Sequence, residues 1–247
     1  MQTLTAQSRN EIETTRRYSA RYAFHDLVVR PLLSGSSKTL RRSIFDILER
    51  LDGPIRSIID ISAGDDPLIA ELGELFDAEI YLANDICIES LYKLRHYIPL
   101  SGRFIGTNFD ALNLPENLPC FDLAIAKNVI HHMTSGREME QLLSNLDRVS
   151  KNILVVDIED PACGSWQGRA WKFYYSCFLH DQGHRFVRQQ EFRDIINQYF
   201  LSSTIYFKTT HTSKGTFMLA LISRTIETKG SHILQTTPFH RFSVARF

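Results

Sequence analysis

The stretch Ser57–Leu72, SIIDISAGDDPLIAEL, decides the fold that we expect for this chain. The three isoleucines before the turn form a short apolar run, which is typical of a strand buried on both faces of a parallel sheet. We expect this strand to end at Asp60. Apolar residues then recur at helical spacing, and Asp65 or Asp66 is placed to cap that helix. A strand, a tight turn and a helix N-terminus direct backbone N–H groups beyond the strand, where a ligand can bind.

Such a unit is weak support for a ligand site when taken alone, because most α/β domains begin with one and a single glycine lies in this turn. The rest of the chain repeats the pattern. Further strands are predicted at Glu79–Asn84, Arg103–Thr107, Phe121–Ala126 and Asn152–Ile158, with helices at Glu89–Tyr97, Gly136–Val149 and Gln190–Phe200. Two last alternating segments, Ser203–Thr209 and Thr216–Ser223, flank a hairpin signal at 211–215. Strands that alternate with helices predict an α/β fold with a parallel sheet covered on both faces.

The chain divides into a central α/β domain and less regular ends. Residues 1–52 are expected to form an N-terminal helical lid, with helices at Glu11–Arg30 and Ser37–Leu51 and a loop at 33–37 between them. The α/β domain is predicted to span 53–225 and to include an aromatic-rich insert at 161–187. Residues 226–247 have weak periodicity and are interpreted as a tail.

Composition restricts the class of partner and the compartment. Lysine and arginine number 28, as do aspartate and glutamate, so the formal net charge is zero and we expect no nucleic-acid partner. The cysteines at 87, 120, 163 and 177 have no metal-ligand spacing, which indicates free thiols and no metal site. No apolar run approaches the ~20 residues of a membrane span, and the first residues contain no apolar signal segment. We therefore expect a soluble, cytoplasmic protein with no membrane partner, and the sequence is compatible with an oligomer.

Three carboxylates fall at or just beyond the ends of successive strands. Asp60, Asp85 and Asp110 follow one another at intervals of 25 residues. Ligands of an open parallel sheet bind outside the carboxyl ends of its strands, so these side chains are expected to line one crevice. Asp85, after the second strand, is well placed to accept both hydroxyls of a ribose, and Asp110 can accept from an exocyclic amine such as that of adenine. Each of them could instead cap a helix, which is the commoner role of a single loop aspartate.

The turn itself is unsuited to a phosphate. Asp65 and Asp66 would place negative charge where a pyrophosphate has to lie, which argues against NAD, FAD or ATP. A ligand with an adenosine and a cationic or zwitterionic tail fits better, because additional carboxylates then favour binding.

In the order of these motifs the chain resembles the class I S-adenosylmethionine-dependent methyltransferases, over roughly 55–161. The family's D-x-G-x-G-x-G turn corresponds to Asp60–Asp66, in which only Gly64 keeps a glycine and both Ser62 and Asp66 depart from the pattern. The segment FDL at 121–123, followed by VIHH at 129–132, is similar to the fourth-strand motif. The resemblance implies a Rossmann-like, doubly wound, mostly parallel seven-stranded sheet with a C-terminal antiparallel hairpin and helical lid elements.

The resemblance also implies a cofactor, S-adenosyl-L-methionine, with S-adenosyl-L-homocysteine as the product. The residues expected to bind it are Asp60, Ser62, Gly64, Asp85, Ile86, Asp110, Ala111, Lys127 and Asn128. His131 and His132 are the candidate catalytic bases, although a half-buried histidine near a helix start more often only packs. Substrate-binding candidates, which could equally serve to pack the lid onto the sheet, are Tyr18, Tyr22, His25, Trp166, Tyr174 and Tyr175.

Together these features predict a methyltransferase that acts on a small-molecule acceptor, at oxygen or nitrogen, by in-line displacement. Two alternatives stay open. The chain could bind the cofactor without transferring methyl, or serve as a partner-binding subunit. It could also be a protein or RNA methyltransferase, although the neutral charge and the absence of an Asn/Asp-Pro-Pro-Tyr type motif after the fourth strand weaken that interpretation.

Overall fold

The computed structural model describes residues 29, 34–98, 103–161, 166–174 and 185–224. The strands found in those residues are β1 (Ser57–Asp60), β2 (Ile80–Asn84), β3 (Arg103–Thr107), β4 (Phe121–Lys127), β5 (Ser150–Ile158), β6 (Ser203–Thr212) and β7 (Gly215–Arg224). The helices are α1 (Ser34–Leu48), α2 (Leu68–Phe76), α3 (Ile88–Arg95), α4 (Gly136–Val149), α5 (Trp166–Phe173) and α6 (Gln189–Tyr199). A short 3₁₀ helix, Ile130–His132, follows β4.

The strands form one seven-stranded sheet in the order β3-β2-β1-β4-β5-β7-β6. Pairs among the first five strands are parallel, whereas β7 lies antiparallel to both β5 and β6. Ile58 and Ile59 of β1 point to opposite faces and both are fully buried, which explains why the central strand lacks a polar alternation. This arrangement confirms the Rossmann-like, mostly parallel sheet with a C-terminal antiparallel hairpin.

The apolar core lies in two layers, one on each face of the sheet. One layer packs α1, α2 and α3 against the sheet, and the other packs α4, α6 and the chain at 109–118 against the opposite face. The doubly wound order places every parallel strand with its carboxyl end at the same edge. The polar residues that follow β1, β2, β3, β4 and β5 therefore gather at that edge.

The first helix differs from the sequence prediction. It begins at Ser34, within the predicted loop, and ends at Leu48 instead of Leu51. The loop prediction was therefore wrong from residue 34 onward. Ser36 is buried where its hydroxyl bonds that of Ser213 in the β6–β7 turn, so a tertiary contact fixes a serine-rich start that local propensity disfavours. Of the predicted N-terminal lid, the helix at 11–30 lies outside the described residues.

The hairpin is longer than predicted, because pairing continues to Thr212 and Gly215. The Thr212 hydroxyl accepts from the Lys214 N–H at 3.1 Å and donates to the Gly215 carbonyl at 2.9 Å. Gly215 has φ 133°, a conformation that favours glycine. The turn therefore shrinks to two residues and stands at the carboxyl edge of β6. The predicted tail at 226–247 lies outside the described residues.

No helix among the described residues is long and apolar enough to cross a membrane.

We predict that Gly73→Ala destabilises the fold, because α2 lies directly on β2 at this point. A Cβ on Gly73 would lie 1.6 Å from Cε1 of Tyr81, whose side chain is only 2% exposed. The ring has little space to move, so the free energy of unfolding should fall by about 2 kcal/mol. Gly35→Ala in α1 is the matched control, since its Cβ would meet nothing within 4 Å and should change stability by less than about 0.5 kcal/mol. Urea denaturation of both variants measures this, and equal stabilities would contradict close packing of α2 on β2.

Candidate active site

Asn84, the last residue of β2, holds three strand ends together. Its Nδ2 donates to the carbonyls of Ile61 (3.2 Å) and Phe109 (3.0 Å). Its Oδ1 accepts from the Thr107 hydroxyl (2.9 Å) and from the Phe109 N–H (2.8 Å). The residue is 1% exposed, so its side-chain amide satisfies buried polar groups that would otherwise lack partners. The loops after β1, β2 and β3 are fixed relative to one another as a result.

The loop after β1 has most of its backbone N–H groups bonded within the protein. We expected these groups to point at a ligand, and for four of them that expectation was wrong. The four donors and their acceptors are Ser62 with the Asp60 carboxylate (3.1 Å), Ala63 with the Asn84 carbonyl (3.1 Å), Gly64 with the Asp85 carboxylate (2.7 Å) and Asp66 with the Ala63 carbonyl (3.3 Å). The loop thus offers no cradle of amides to a phosphate at these positions.

Asp60 lies beneath this loop and is 1% exposed. Burial raises the pKa of its carboxyl to about 7, although the Ser62 N–H and nearby Lys127 act in the opposite direction. Asp60, one of the predicted cofactor residues, therefore supports the loop from beneath. At neutral pH its carboxyl group is only partly ionised.

Gly64 and Ser62 shape the top of the loop. Gly64 has φ 57°, in the left-handed region where a side chain is unfavourable. The Ser62 hydroxyl donates to the Lys127 carbonyl (3.1 Å) and accepts from the Lys127 N–H (3.2 Å). Ser62 stands in place of the family's first glycine. Through these two hydrogen bonds it connects the loop to the end of β4.

An ionic cluster joins the same loop to α1. Asp66 lies 2.6 Å from an Arg41 nitrogen and 2.8 Å from Lys127 Nζ, and Arg41 also pairs with Glu71. Burial alone would raise the pKa of Asp66, but Lys127 and Arg41 lower it to about 2. Two cations and two carboxylates balance here, so the loop carries no excess positive charge from this cluster. Asp66 also accepts from the Leu68 N–H at 3.1 Å. The N-cap position of α2 is nevertheless Pro67, so the prediction of Asp65 or Asp66 as the N-cap was wrong.

Asp85 and Asp110 stand at the tips of neighbouring strands, as predicted. They are 7% and 6% exposed. Asp85 accepts from the Gly64 N–H at 2.7 Å and from the Cys87 N–H at 2.8 Å, with half-buried Ile86 between them in the chain. Asp110 accepts from the Leu112 N–H at 3.0 Å and from the Asn113 amide at 3.2 Å. Ala111, which is half-buried, accepts through its carbonyl from Asn145 at 2.9 Å.

The chain after β4 brings a histidine against a buried carboxylate. Asn128 is exposed and has φ 56°, which is uncommon for a residue with a side chain, and its N–H donates to the Val156 carbonyl at 2.8 Å. His131 Nδ1 lies 2.6 Å from Oδ1 of Asp157, near the end of β5. The His132 ring is half-buried, with its centroid 4.2 Å from that of His131.

The predicted substrate residues lie only partly in the described chain. Trp166 is 72% exposed at the start of α5, and Tyr174 packs edge-on against Trp171 with ring centroids 5.6 Å apart. The Trp171 indole donates to the Ser213 carbonyl at 2.7 Å, which anchors α5 on the β6–β7 turn. The others, Tyr18, Tyr22, His25 and Tyr175, lie outside the described residues.

An open pocket of about 500 Å³ lies between the start of α1 and the tip of the hairpin. None of the predicted site residues lines it; the lining residues are Gly35, Ser36, Thr39, His211, Thr212 and Ser213. The described part of the chain contains no group of three or more His, Cys, Asp or Glu arranged to hold a metal ion.

Comparison with known proteins agrees with this geometry. A family model described as "Methyltransferase domain" matches residues 59–153, which include the end of β1, the loop after it, β4 and the histidines. Residues 59–153 are therefore similar to a methyltransferase domain, and the sheet that contains them has the Rossmann-like fold of such domains. A search of curated proteins found no match.

Several solved structures share the methyltransferase fold. Magnesium protoporphyrin IX methyltransferase from Synechocystis PCC 6803, solved with bound SAH, is 13% identical with a TM-score of 0.63, covering 87% of this chain and 99% of that one. An O-methyltransferase family protein from Burkholderia thailandensis is 15% identical with a TM-score of 0.62, covering 89% of this chain and 63% of that one. Small RNA methyltransferase HEN1 is 12% identical with a TM-score of 0.60, covering 80% of this chain and 27% of that one. Identities this low establish the fold alone.

The donor set at the edge suits S-adenosylmethionine, the cofactor that the resemblance implies. The tips of β2 and β3 carry the carboxylates of Asp85 and Asp110, and the amides of the loop already have acceptors. Such a surface is unfavourable for a pyrophosphate, whereas carboxylates favour a nucleoside whose sulfur is positively charged. The residues present therefore fit the cofactor.

Three residues at the edge were not predicted as site residues from the sequence. Asp157 lies one residue before the end of the NILVVDI strand, close to the position that Asp60 has in the first strand, so the same signal could have found it. Asn84 was assigned only as a strand residue, although it immediately precedes Asp85. The contact of Arg41 with Asp66 could not be predicted, because a helical pattern does not indicate which of its cations contacts a loop 25 residues away.

We predict that Asp60→Asn changes how stability depends on pH. With a folded pKa of about 7 against an ordinary value of 3.8, the folded state keeps the proton longer, so stability is greatest at low pH and falls as pH rises towards 7. The variant lacks this loss, so relative to wild type it should gain roughly 2 kcal/mol between about pH 5 and about pH 8.

Guanidinium denaturation at both pH values measures this gain. Asp122→Asn is the control, because lysine and backbone donors lower the pKa of Asp122 despite partial burial, so its effect should be the same at both pH values. A pH-independent effect of Asp60→Asn would show that the Asp60 carboxyl is ionised throughout.

Proposed function

We propose that this chain is a methyltransferase that uses S-adenosylmethionine to methylate an oxygen or nitrogen of a small-molecule acceptor. The observation that carries the proposal is the set of side chains held in fixed positions at the carboxyl edge of the sheet. Asn84 locks the loops after β1, β2 and β3 together, so Asp85 and Asp110 are held at neighbouring strand tips. Such a rigid, acid-lined edge is pre-organised for a cationic nucleoside.

Each predicted cofactor residue has a specific task in this proposal. Asp85 accepts from the ribose hydroxyls, and Asp110 with Ala111 recognises the adenine edge, with Ile86 beside it. Lys127 and Asn128, at the end of β4, lie nearest the methionine portion, while Gly64 and Ser62 shape the loop and Asp60 supports it. These roles rest on the position of each residue at the edge and on carboxylate chemistry.

When bound, S-adenosylmethionine supplies a methyl group from its sulfonium and leaves as S-adenosylhomocysteine. The chain's own part is to hold the acceptor atom near that methyl group in line with the leaving sulfur, and to exclude water. His131 and His132 follow the end of β4 at the same edge, so either is placed to take a proton from the acceptor.

The acceptor class is inferred from the elements around the edge. α5 carries large exposed side chains, with Trp166 72% and Phe173 70% exposed, and it is anchored on the hairpin tip. Aromatic walls favour an apolar or ring-bearing small molecule, and the net charge of zero does not favour RNA. In this proposal Tyr18, Tyr22, His25, Tyr174 and Tyr175 complete the acceptor pocket. The site belongs to a soluble protein of the cytoplasm, where thiols such as Cys87 and Cys120 stay reduced.

A specific observation favours a second candidate, a cofactor-binding protein that transfers no methyl group. The Gly64 N–H bonds directly to Asp85 at 2.7 Å, and Asp66, in place of the family's last glycine, pairs with Lys127 beside it. Both contacts hold the loop against the ends of β2 and β4, which would narrow the space that the methionine portion of the cofactor has to enter. Transfer of labelled methyl to small molecules of a cell extract separates this candidate from the proposed enzyme.

We predict that Asp85→Asn weakens the binding of S-adenosylhomocysteine by roughly 10- to 100-fold, because it removes a charged acceptor of the ribose hydroxyls. The asparagine is closer in shape than alanine and keeps one oxygen for the backbone donors. Isothermal titration calorimetry of the full chain measures the affinity.

Asp122→Asn is the matched control for this substitution. Asp122 likewise accepts from two backbone N–H groups, those of Arg56 (3.0 Å) and Ser57 (3.1 Å), but it lies at the amino end of β4, on the opposite edge of the sheet. The control should leave the affinity within about twofold of wild type. Similar losses in both variants would mean that Asp85 acts only through stability, and an unchanged affinity in Asp85→Asn would exclude it from the cofactor site.

A further inference from the structure

The open pocket between α1 and the tip of the β6–β7 hairpin is lined by groups that form hydrogen bonds. Of the six described residues that line it, four carry a hydroxyl and His211 carries an imidazole. Gly35, the sixth, has open space at the position of a Cβ, since such an atom would meet nothing within 4 Å. None of the six is a lysine, arginine, aspartate or glutamate. The pocket therefore suits a neutral polar ligand, because an ion would find no permanently opposite charge in this lining.

Most hydroxyls of this lining already donate their hydrogen within the protein, so they present lone pairs to a ligand. The Thr39 hydroxyl donates to a backbone carbonyl of α1 at 3.0 Å. The Thr212 hydroxyl donates to a carbonyl across the hairpin turn at 2.9 Å. Ser36 and Ser213 bond each other through their hydroxyls, so one hydrogen of that pair is also used. A ligand must therefore donate hydrogen bonds to these oxygens, which an ionised carboxylate cannot do.

The same pocket also offers donors. Gly35 and Ser36 belong to the first turn of α1, where backbone N–H groups have no partner inside the helix. His211 bonds the Thr216 hydroxyl through Nδ1 at 3.1 Å, and no group in the described part of the chain bonds its Nε2. That nitrogen donates or accepts according to the tautomer. Donors and acceptors thus occur together in a lining without ionic side chains, and a sugar or another polyol matches it because each of its hydroxyls does both.

The face of β6 that borders the pocket carries one more hydroxyl. Side chains two residues apart in a strand lie on the same face, so Thr210 shares the face of Thr212. Thr210 is 5% exposed, and its Oγ1 is buried without a hydrogen-bond partner among the described residues. Buried hydroxyls are normally bonded, either to protein or to water. This orphan hydroxyl is independent of the lining and indicates that a polar partner from outside the described chain belongs at this end of the strand.

The position of the pocket relates it to the proposed acceptor. The pocket lies at the carboxyl end of β6, and three strand spacings separate β6 from β4. Neighbouring strands are about 4.8 Å apart, which places the pocket roughly 14 Å from the end of β4 along the same edge. α5 lies between the two places, because Lys172 bonds Asp160, after β5, at 3.4 Å. The next contact is that of the Trp171 indole with the hairpin tip. An elongated acceptor is therefore able to reach both places.

We propose that this pocket binds a neutral sugar or polyol group of the acceptor, while the atom to be methylated lies near the end of β4. The inference rests on the proposed function and narrows its acceptor class to glycosides and similar polyol conjugates. Binding in the pocket involves hydrogen bonds alone and no covalent step. An acceptor without hydroxyls at that end is disfavoured, because it leaves the donors and acceptors of the lining unpaired.

The first test examines the pocket without cofactor or methyl transfer. In the ¹⁵N-labelled full chain, NMR titration with methyl β-D-glucoside or myo-inositol should shift the amide signals of the pocket residues in a saturable manner. Sodium acetate at the same ionic strength is the ionic probe and should leave these signals in place. Saturable shifts with acetate and not with the polyols would show an anion site and overturn the proposal. The absence of shifts with all three probes would overturn it as well.

Two variants alter the pocket in different ways. Gly35→Phe adds a ring where the backbone leaves open space, so it should fill the pocket and abolish the saturable shifts. Thr39→Val removes one lone-pair oxygen at nearly constant shape and should weaken polyol binding roughly fivefold, whether or not the first variant folds. Thr204→Val, at the exposed start of β6 on the opposite edge of the sheet, is the matched control and should stay within about twofold of wild type. Unchanged binding in both pocket variants would contradict the proposal.

The last test connects the pocket to methyl transfer. The probe acceptors 4-hydroxyphenyl β-maltoside and 4-methoxyphenol carry the same reacting hydroxyl, with and without a sugar. In the wild type the KM should be roughly tenfold lower for the maltoside, and Gly35→Phe should remove this ratio. Equal KM values in the wild type would overturn the assignment of the pocket to the acceptor. Transfer to neither probe would count against the proposed function, and the NMR titrations would still decide whether the pocket binds a polyol.

Discussion

A backbone N–H that turns into the edge of a parallel sheet must find an acceptor, and in this protein the end of β2 supplies several of these acceptors. The Asn84 side chain bonds groups of three strand ends, its carbonyl accepts from Ala63, and Asp85 accepts from Gly64 and Cys87. An unsatisfied buried amide costs about 1–3 kcal/mol, so the alternatives to this arrangement are strongly disfavoured. The rest of the edge inherits its geometry from these bonds, because the loops after β1 and β3 cannot move independently of β2.

The same edge holds carboxylates in different protonation states, and their surroundings explain the difference. Burial raises the pKa of Asp60 to about 7, because its main compensation is a single backbone donor. Asp66 is brought to about 2 by Lys127 and Arg41, and Asp157 is held below its ordinary pKa by His131 and backbone donors. Groups of one chemical type are thereby given distinct tasks: a partly neutral support beneath the loop, a partner for cations, and an ionised anchor for an imidazole.

In the proposed methyltransferase, the acceptor side of the edge is assembled from elements far apart in the chain. The start of α1, α5 and the tip of the β6–β7 hairpin meet at Ser213, through the Ser36 hydroxyl and the Trp171 indole. Each contact is a single polar bond between surface elements, unlike the apolar packing that fixes the sheet. Variation of such elements changes a substrate without disturbing the core, which agrees with the range of proteins that share this fold.

The sequence by itself determined the order of strands and helices and the carboxylates at the strand tips. Both follow from local rules: apolar periodicity sets the elements, and parallel strands bring their carboxyl ends to one edge. Only the tertiary structure decided which polar groups meet there. The Asp157–His131 pair joins residues 26 apart, Arg41 and Asp66 are 25 apart, and Ser36 and Ser213 are 177 apart. Side-chain partners across such separations depend on how layers pack, as does the start of α1 at Ser34, and no local pattern encodes them.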